Sequence, residues 1–346
     1  MWDKLIAHSL RSSTYCCLVK NAHSSLVKIE HQKSDRHENG FALKRKGEFR
    51  YNAQNFLASP KFHSTTIEEG SVQSKTRLDY PTIFLFSVIA GTTMVGVPLF
   101  WMAHGFQTLD WIMFGVLYLV TGLGITVGYH RLFSHRSFEC RAWVKAAFLV
   151  AGGWALENSA LRWCSDHIRH HACTDEENDP YNAKKGFWYS HCGWIFMKSK
   201  NRDAKYEARL RQDPLIMWQH RYYVPIVLSG LAVPFVVGLI NGGWMSGLGC
   251  FLLAGVCRTF FVLNSTFCIN SICHLWGSQP HGKHDSSRDS WWVSLLTLGE
   301  GYHNYHHTHL RDYRNGPKWY NWDPSKWLIF TLSKLGLAFN LQRQRT

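Results

Sequence analysis

What most constrains this chain is the length of its uncharged apolar runs. Pro81 to Gln107 contains no Asp, Glu, Lys or Arg, and neither does Trp111 to Tyr129. The run from Tyr222 to Cys257 is also uncharged, split by Asn241-Gly242-Gly243, and Thr259 to Pro280 continues it beyond Arg258. A helix needs about 20 apolar residues to cross the hydrocarbon core of a bilayer. The runs therefore predict four spanning helices, about 82–104, 109–130, 222–240 and 244–268. The competing reading, four buried core helices of a water-soluble protein, does not suit runs this long and uniform.

Charge sets the expected orientation. His104 to Asp110 and Asn241-Gly242-Gly243, which join the spans in pairs, contain no Lys or Arg. The basic residues fall in Arg131 to Arg221, after Lys283 and in the N-terminal segment. The positive-inside rule then puts both termini and the large middle loop in the cytosol. That means the endoplasmic reticulum in a eukaryote, or the inner membrane in a bacterium. The net charge of +14 suits an anionic membrane surface or an acidic ligand and requires no nucleic acid. The 10 cysteines are scattered without a CxxC pair, which argues against a zinc ribbon or a disulfide scaffold and for a reducing compartment.

Residues 1–76 are rich in Ser, His, Asn and basic residues and lack a signal-peptide apolar core. They read as a disordered N-terminal extension before a membrane domain at 77–346. Ala142 to Leu161 is apolar but carries Lys145, Glu157 and Gly152-Gly153, so an interfacial or re-entrant helix is expected there. Trp327 to Leu341 reads as another surface helix. The expected fold class is all-α, an integral membrane protein of four spans with a cytosolic helical cap.

Three histidine clusters stand just past the predicted membrane ends: His130 with His135, His167-Ile-Arg-His170-His171, and His303-Asn-Tyr-His306-His307. His274 follows Asn270-Ser-Ile-Cys. Residues three and four apart share a helix face, so each HxxHH is expected to project three imidazoles toward one point. Nine nitrogen ligands are too many for one tetrahedral zinc. They suit two metals of five- or six-fold coordination, and imidazole alone does not choose among Zn, Cu, Fe and Ni. A lone histidine is more often a surface residue or a satisfied core group. Two HxxHH segments beside HxxxxH at membrane ends are not explained that way. The nearest rivals as ligands are His281, His284 and His309. There is no HExxH helix, phosphate loop or GxSxG elbow. Gly122, Gly124 and Gly128 lie within a predicted span and read as a helix-packing face.

With GITVGYHRLFSH (124–135), DHIRHH (166–171), Asp179-Pro180, NSICHLWG (270–277), GEGYHNYHH (299–307) and DYRNGPKWYNWDPSKW (312–327) in order, the chain resembles the membrane acyl-CoA desaturases, the stearoyl-CoA desaturase-like family. The resemblance runs from about Leu78 to Gln342. It implies a di-iron centre on His130, His135, His167, His170, His171, His274, His303, His306 and His307, with Asn270 reaching the metal through water. It implies acyl-CoA head-group contacts at Asn158, Asp166 and Lys198, a tunnel bend at Trp163 and Thr266, and a tunnel end at Tyr118. Glu157 stands where animal enzymes have Gln, and Ser165 and Ser199 replace Arg and Lys. Those departures make another acyl carrier a serious alternative to CoA.

The implied activity is O2-dependent insertion of a cis double bond, at Δ9, into a long-chain saturated acyl thioester, with two irons per chain. A di-iron hydroxylase of lipids or alkanes shares the histidines and is the alternative; a metal transporter would place them within the spans. Electrons are expected from a separate donor, cytochrome b5, a ferredoxin or a rubredoxin, since neither a haem loop nor a flavin fingerprint is present. Arg258 is the one basic residue in the fourth run, costly there unless paired.

Overall fold

The apolar runs become helices that need no partner strand, because a helix satisfies its own backbone. The computed structural model describes residues 77–198 and 204–344, all within one unit, Val72–Thr346. The expected extension 1–76 and Ser199 lie outside the described residues. Among the described residues, three helices are long and apolar enough to cross a membrane: Tyr80–His104, Thr108–Ser134 and Tyr223–Leu275.

Helix α1 (Tyr80–His104) opens at Pro81, where the missing N–H costs nothing. It widens into a π turn over Thr92–Gly96, just before Pro98, which cannot donate to the regular ladder. Helix α2 (Thr108–Ser134) begins with a capping box between Gln107 and Asp110. Asp110 is buried there, and Cys250 Sγ donates to it across 2.9 Å. A carboxylate at an apolar helix end is thus balanced by the positive helix N-terminus.

The third stretch is continuous in length but not in course. Gly242 (φ −153°, ψ 27°) and Gly243 (φ 73°, ψ −164°) are non-helical. Only glycine adopts the second of these conformations readily. A Cβ on Gly238 would lie 2.4 Å from the Ser246 carbonyl oxygen, and one on Gly247 would lie 3.1 Å from that of Phe235. The chain therefore folds back on itself as two helices, α7 (223–241) and α8 (244–275), with backbones in close approach. The turn falls where the sequence placed it. Both α2 and α8 run beyond their expected ends, to Ser134 and Leu275. His130 lies in the last turns of α2 and His274 in the last turn of α8.

Between the two helical pairs lie α3 (Ala142–Gly153), α4 (Ala160–Ala172), α5 (Phe187–His191) and α6 (Pro214–Arg221). After α8 come α9 (Trp291–Leu296), α10 (His303–Thr308) and α11 (Pro324–Lys334). Helix α3 lies on the glycine face of α2: a Cβ on Gly124 would meet the Gly152 nitrogen at 2.4 Å, and one on Gly128 would meet Phe148 at 2.8 Å. The core here includes Val127, Phe138, Leu149, Leu161 and Ile329.

The surface helix expected over 327–341 is shorter and shifted. It ends at Lys334, Gly336 turns the chain at φ 68°, and Ala338–Phe339 (β2) pairs antiparallel with Glu139–Cys140 (β1). A glycine in the left-handed conformation stops a helix whatever the apolar pattern beyond it. Arg258 does have partners: its guanidinium donates to the carbonyls of Trp154 (2.8 Å) and Ala254 (3.2 Å).

Candidate metal centre

The nine histidines gather where α2, α4, α8 and α10 meet. They form two groups, His130, His135, His167, His171 and His306, and His170, His274, His303 and His307. In each group the nearest ring nitrogens lie within 4.8 Å of one another. His281, His284 and His309 belong to neither.

The expectation that each HxxHH aims at one point is overturned. His167 and His171 enter the first group and His170 the second; His303 and His307 enter the second and His306 the first. An α-helix turns about 100° per residue, so positions i and i+4 sit about 40° apart, whereas i+3 falls on the other side of i. Each helix therefore gives its i, i+4 pair to one group and its middle histidine to the other. The two groups interlock.

The nitrogens face each other at short range. Nε2 to Nε2 separations are 2.8 Å for His135–His167, 3.0 Å for His167–His171, 3.0 Å for His130–His306 and 3.0 Å for His171–His306. In the second group His274–His303 and His303–His307 are each 3.1 Å apart, and His170 Nε2 is buried with no hydrogen-bond partner. Two nitrogens bound to one ion at about 2.1 Å and at right angles lie about 3.0 Å apart. The spacing thus fits imidazoles sharing an ion with more than four ligands.

Protonation agrees. Burial, reinforced by neighbouring imidazoles, pushes His135, His167, His171, His303 and His306 well below the usual histidine range. Neutral imidazole is the form that binds metal.

Four of the outer nitrogens have a polar group close by. His130 Nδ1 lies 2.8 Å from Glu300, His170 Nδ1 2.8 Å from Asp179, His307 Nδ1 3.0 Å from Asp285 and His274 Nδ1 2.8 Å from Ser286 Oγ. Such contacts fix the tautomer so that Nε2 faces inward. Burial alone would raise the Asp179 and Glu300 carboxyls, but the histidine beside each, joined at Glu300 by Arg131, holds them low. Arg131 is itself buried between Glu300 (2.9 Å) and Asp323 (3.0 Å).

Two cavities meet at the centre. A wide cleft of about 840 Å³ is lined by Asn158, Asp166 and Lys198, and a narrow passage is lined by Tyr118, His130, His167, His170 and His303. They share Trp163, His167, Thr266 and Asn270. All six expected substrate residues thus line one cavity or both. At the junction Glu157 accepts from Trp163 Nε1 (3.0 Å) and Thr266 Oγ1 (2.7 Å).

Residues 109–321 match the family model for fatty acid desaturases. The chain belongs to the fatty acid desaturase family. It is 45% identical over 240 residues to a Schizosaccharomyces pombe protein named "Probable acyl-CoA desaturase", covering 68% of this chain and 49% of that one. It is 37% identical over 246 residues to stearoyl-CoA desaturase 5 of Bos taurus, covering 68% and 71%. It is 36% identical over 261 residues to an sn-2 palmitoyl-lipid 9-desaturase of a Nostoc strain, covering 70% and 88%. The chain spans about half the length of the yeast protein.

Glu300, Asp285 and Ser286 were given no part in the site from the sequence of this desaturase-family chain, and Glu157 was noted there only as a departure from the family's Gln. Glu300 stood inside GEGYHNYHH, so its signal was present. Asp285 and Ser286 are brought to His307 and His274 only by the fold of the loop after α8.

Proposed function

We propose that this chain is an O2-dependent desaturase that places a cis double bond, at Δ9, in a long-chain saturated fatty acyl thioester, with acyl-CoA as the first choice of carrier. The observation that carries this reading is a narrow passage lined by His130, His167, His170 and His303, running past two interlocked groups of imidazoles. The proposed topology is four spans, α1, α2, α7 and α8, with the histidine-bearing cap and both termini on the cytosolic side.

Two irons on the nine histidines, with Asn270 adding a ligand through water at the four-histidine group, would supply the oxidant for two unactivated C–H bonds that no side chain could deprotonate. The balance is one alkane segment, O2, two electrons and two protons, giving the alkene and two waters. The protein contributes position and the exclusion of water. Trp163 and Thr266, tied through Glu157, shape the passage beside His167. Tyr118 closes it. Asn158, Asp166 and Lys198 line the wide cleft where the head group would lie. The electrons are proposed to come from a separate cytochrome b5, ferredoxin or rubredoxin.

A second carrier keeps a place. The cleft has acids as well as bases, with Asp166 held against Arg169 at 3.0 Å, and one relative is named for a lipid-bound acyl group. A glycerolipid-linked acyl chain fits that mixture better than it fits an all-basic cleft. Expression in a desaturase-deficient host, followed by chromatography and mass spectrometry of its fatty acids, tests the reaction. New monounsaturated acids support the desaturase; hydroxy acids favour the hydroxylase. Supplying the purified protein with labelled acyl-CoA or labelled phospholipid separates the carriers. For the passage itself, Tyr118→Ala is expected to admit longer chains with the double bond at the same distance from the carboxyl. An unchanged product profile at comparable activity removes Tyr118 from the passage end.

A further inference from the structure

At Tyr118 the passage wall is held by hydrogen bonds as well as by bulk. The Tyr118 hydroxyl on α2 lies 2.8 Å from the carbonyl oxygen of Leu296, the last residue of α9. It also lies 2.8 Å from Ser265 Oγ on α8. A carbonyl only accepts, so when the phenolic proton goes to Leu296 it is not available to Ser265. The contact with Ser265 is then a hydrogen bond only if the serine donates to the phenol. Ser265 has one alternative acceptor, the Phe261 carbonyl of its own helix, also at 2.8 Å. The Tyr118 oxygen is thus within hydrogen-bond distance of two other elements, with two hydroxyl protons for three contacts, and Tyr118, Ser265 and Leu296 all line the passage.

The ring is backed on its far side. Phe114 stacks on Tyr118 at 6.2 Å with a 20° tilt, and Phe261 meets Phe114 edge-on at 6.1 Å. Stacking restrains the ring plane but allows it to slide. The hydroxyl contacts fix where the ring stops. Leu296 brings a backbone that is itself constrained, since Leu298 (φ 54°) and Gly299 (φ 110°) turn the chain immediately after α9.

We propose that Ser265 is a positioning residue for acyl chain length: it holds the Tyr118 phenol across the passage end, with the α9 backbone as the second anchor. This rests on reading the passage as the acyl site. Without the serine proton the phenol keeps one anchor and swings more freely, so the passage admits a longer methyl end. Without the phenol hydroxyl both anchors go.

The test uses the full-length chain and a series of saturated acyl-CoAs from sixteen to twenty-two carbons, with two readouts. One is the chain-length profile of kcat/KM. The other, independent of turnover, is the profile of thermal stabilisation by each acyl-CoA. Ser265→Cys keeps the volume and removes the strong donor. It should raise the preference for a chain two carbons longer by roughly threefold, and Tyr118→Phe by roughly tenfold, within what added methylenes change in an apolar pocket. Ser265→Cys added to Tyr118→Phe should do nothing further, because the serine acts through the lost hydroxyl. Ser265→Thr, which keeps a hydroxyl, should restore the wild-type profile. An unshifted Ser265→Cys profile with wild-type activity overturns the proposal and leaves the desaturase reading standing, and so does an additive double variant. A wild-type protein with no chain-length dependence in either readout overturns both.

Discussion

The two histidine groups differ in completeness, exposure and support. The first has five imidazoles, of which His135 and His171 are partly exposed; the second has four, all buried. In the second, three of four outer nitrogens are anchored, by Asp179, Ser286 and Asp285. The first is held through Glu300, which is locked in turn by Arg131 and Asn315. One group is thus ligand-rich and near the surface. The other is one ligand short and rigidly supported, with Asn270 on the shared wall of the cavities. Support from outside the ligand set keeps imidazoles aimed when the ion does not fill its own shell with protein atoms. On the proposed reading, the four-histidine group is the one that would take a non-protein ligand.

The largest effect expected to break this comparison comes from removing a ligand. His170→Ala takes the middle histidine of α4 out of the smaller group. Turnover should fall by roughly a thousandfold or more, and iron in freshly purified protein should drop from two per chain toward one. His309→Ala, outside both groups, should keep most of the turnover. Active protein that holds only zinc would sink the iron assignment. Zinc in inactive protein would not, because zinc outcompetes ferrous iron for nitrogen ligands.

Next in size are the anchors. Asp179→Asn and Glu300→Gln should each cost about 10- to 100-fold in metal affinity or activity. Asp179→Asn should act on one metal and spare the other. Glu300→Gln should also lower the melting temperature, since it leaves Arg131 with less compensation for its burial. Equal loss of both metals in the two variants would mean the groups are one coupled site. A chelator titration sharpens the same point: the group with exposed His135 and His171 should release its metal first, giving two phases in bound iron.

Much of this was legible in the sequence, for physical reasons that differ by region. The long uncharged runs dictated helices, and Gly242-Gly243 marked the hairpin because few other residues could turn there. The nine histidines were legible as a set because their spacing is local to each helix. The i, i+4 spacing already separates the middle histidine of each helix from its pair, but which histidines meet across helices was not legible, since it depends on how α4 and α10 face each other. Asp285 and Ser286 were hidden because only the fold of the loop after α8 brings them to His307 and His274. The helix expected over 327–341 failed at Gly336, where a backbone conformation overrode an apolar pattern.

The smallest expected effect concerns Glu157, the one carboxyl at the cavity junction. Burial pushes it up to about 7, against hydrogen bonds from Thr266 and Trp163 that favour its charged form. This sets it apart from the carboxylates anchoring the histidines, which are held low. An unfolded glutamate loses its proton near 4.5, so between there and about 7 the folded chain binds more protons than the unfolded one. Stability must then fall as pH rises through that window and level off above it. The full shift corresponds to about 3 kcal/mol, and partial exposure at the cleft reduces that to roughly 2. Glu157→Gln has no proton to lose, so its melting temperature should decline less between about pH 5 and about pH 8, with the gap to wild type opening as pH rises. Parallel curves for the two proteins would mean that Glu157 is charged at the junction throughout. The passage wall beside Trp163 and Thr266 would then carry a carboxylate where the reading of an acyl channel needs a neutral group.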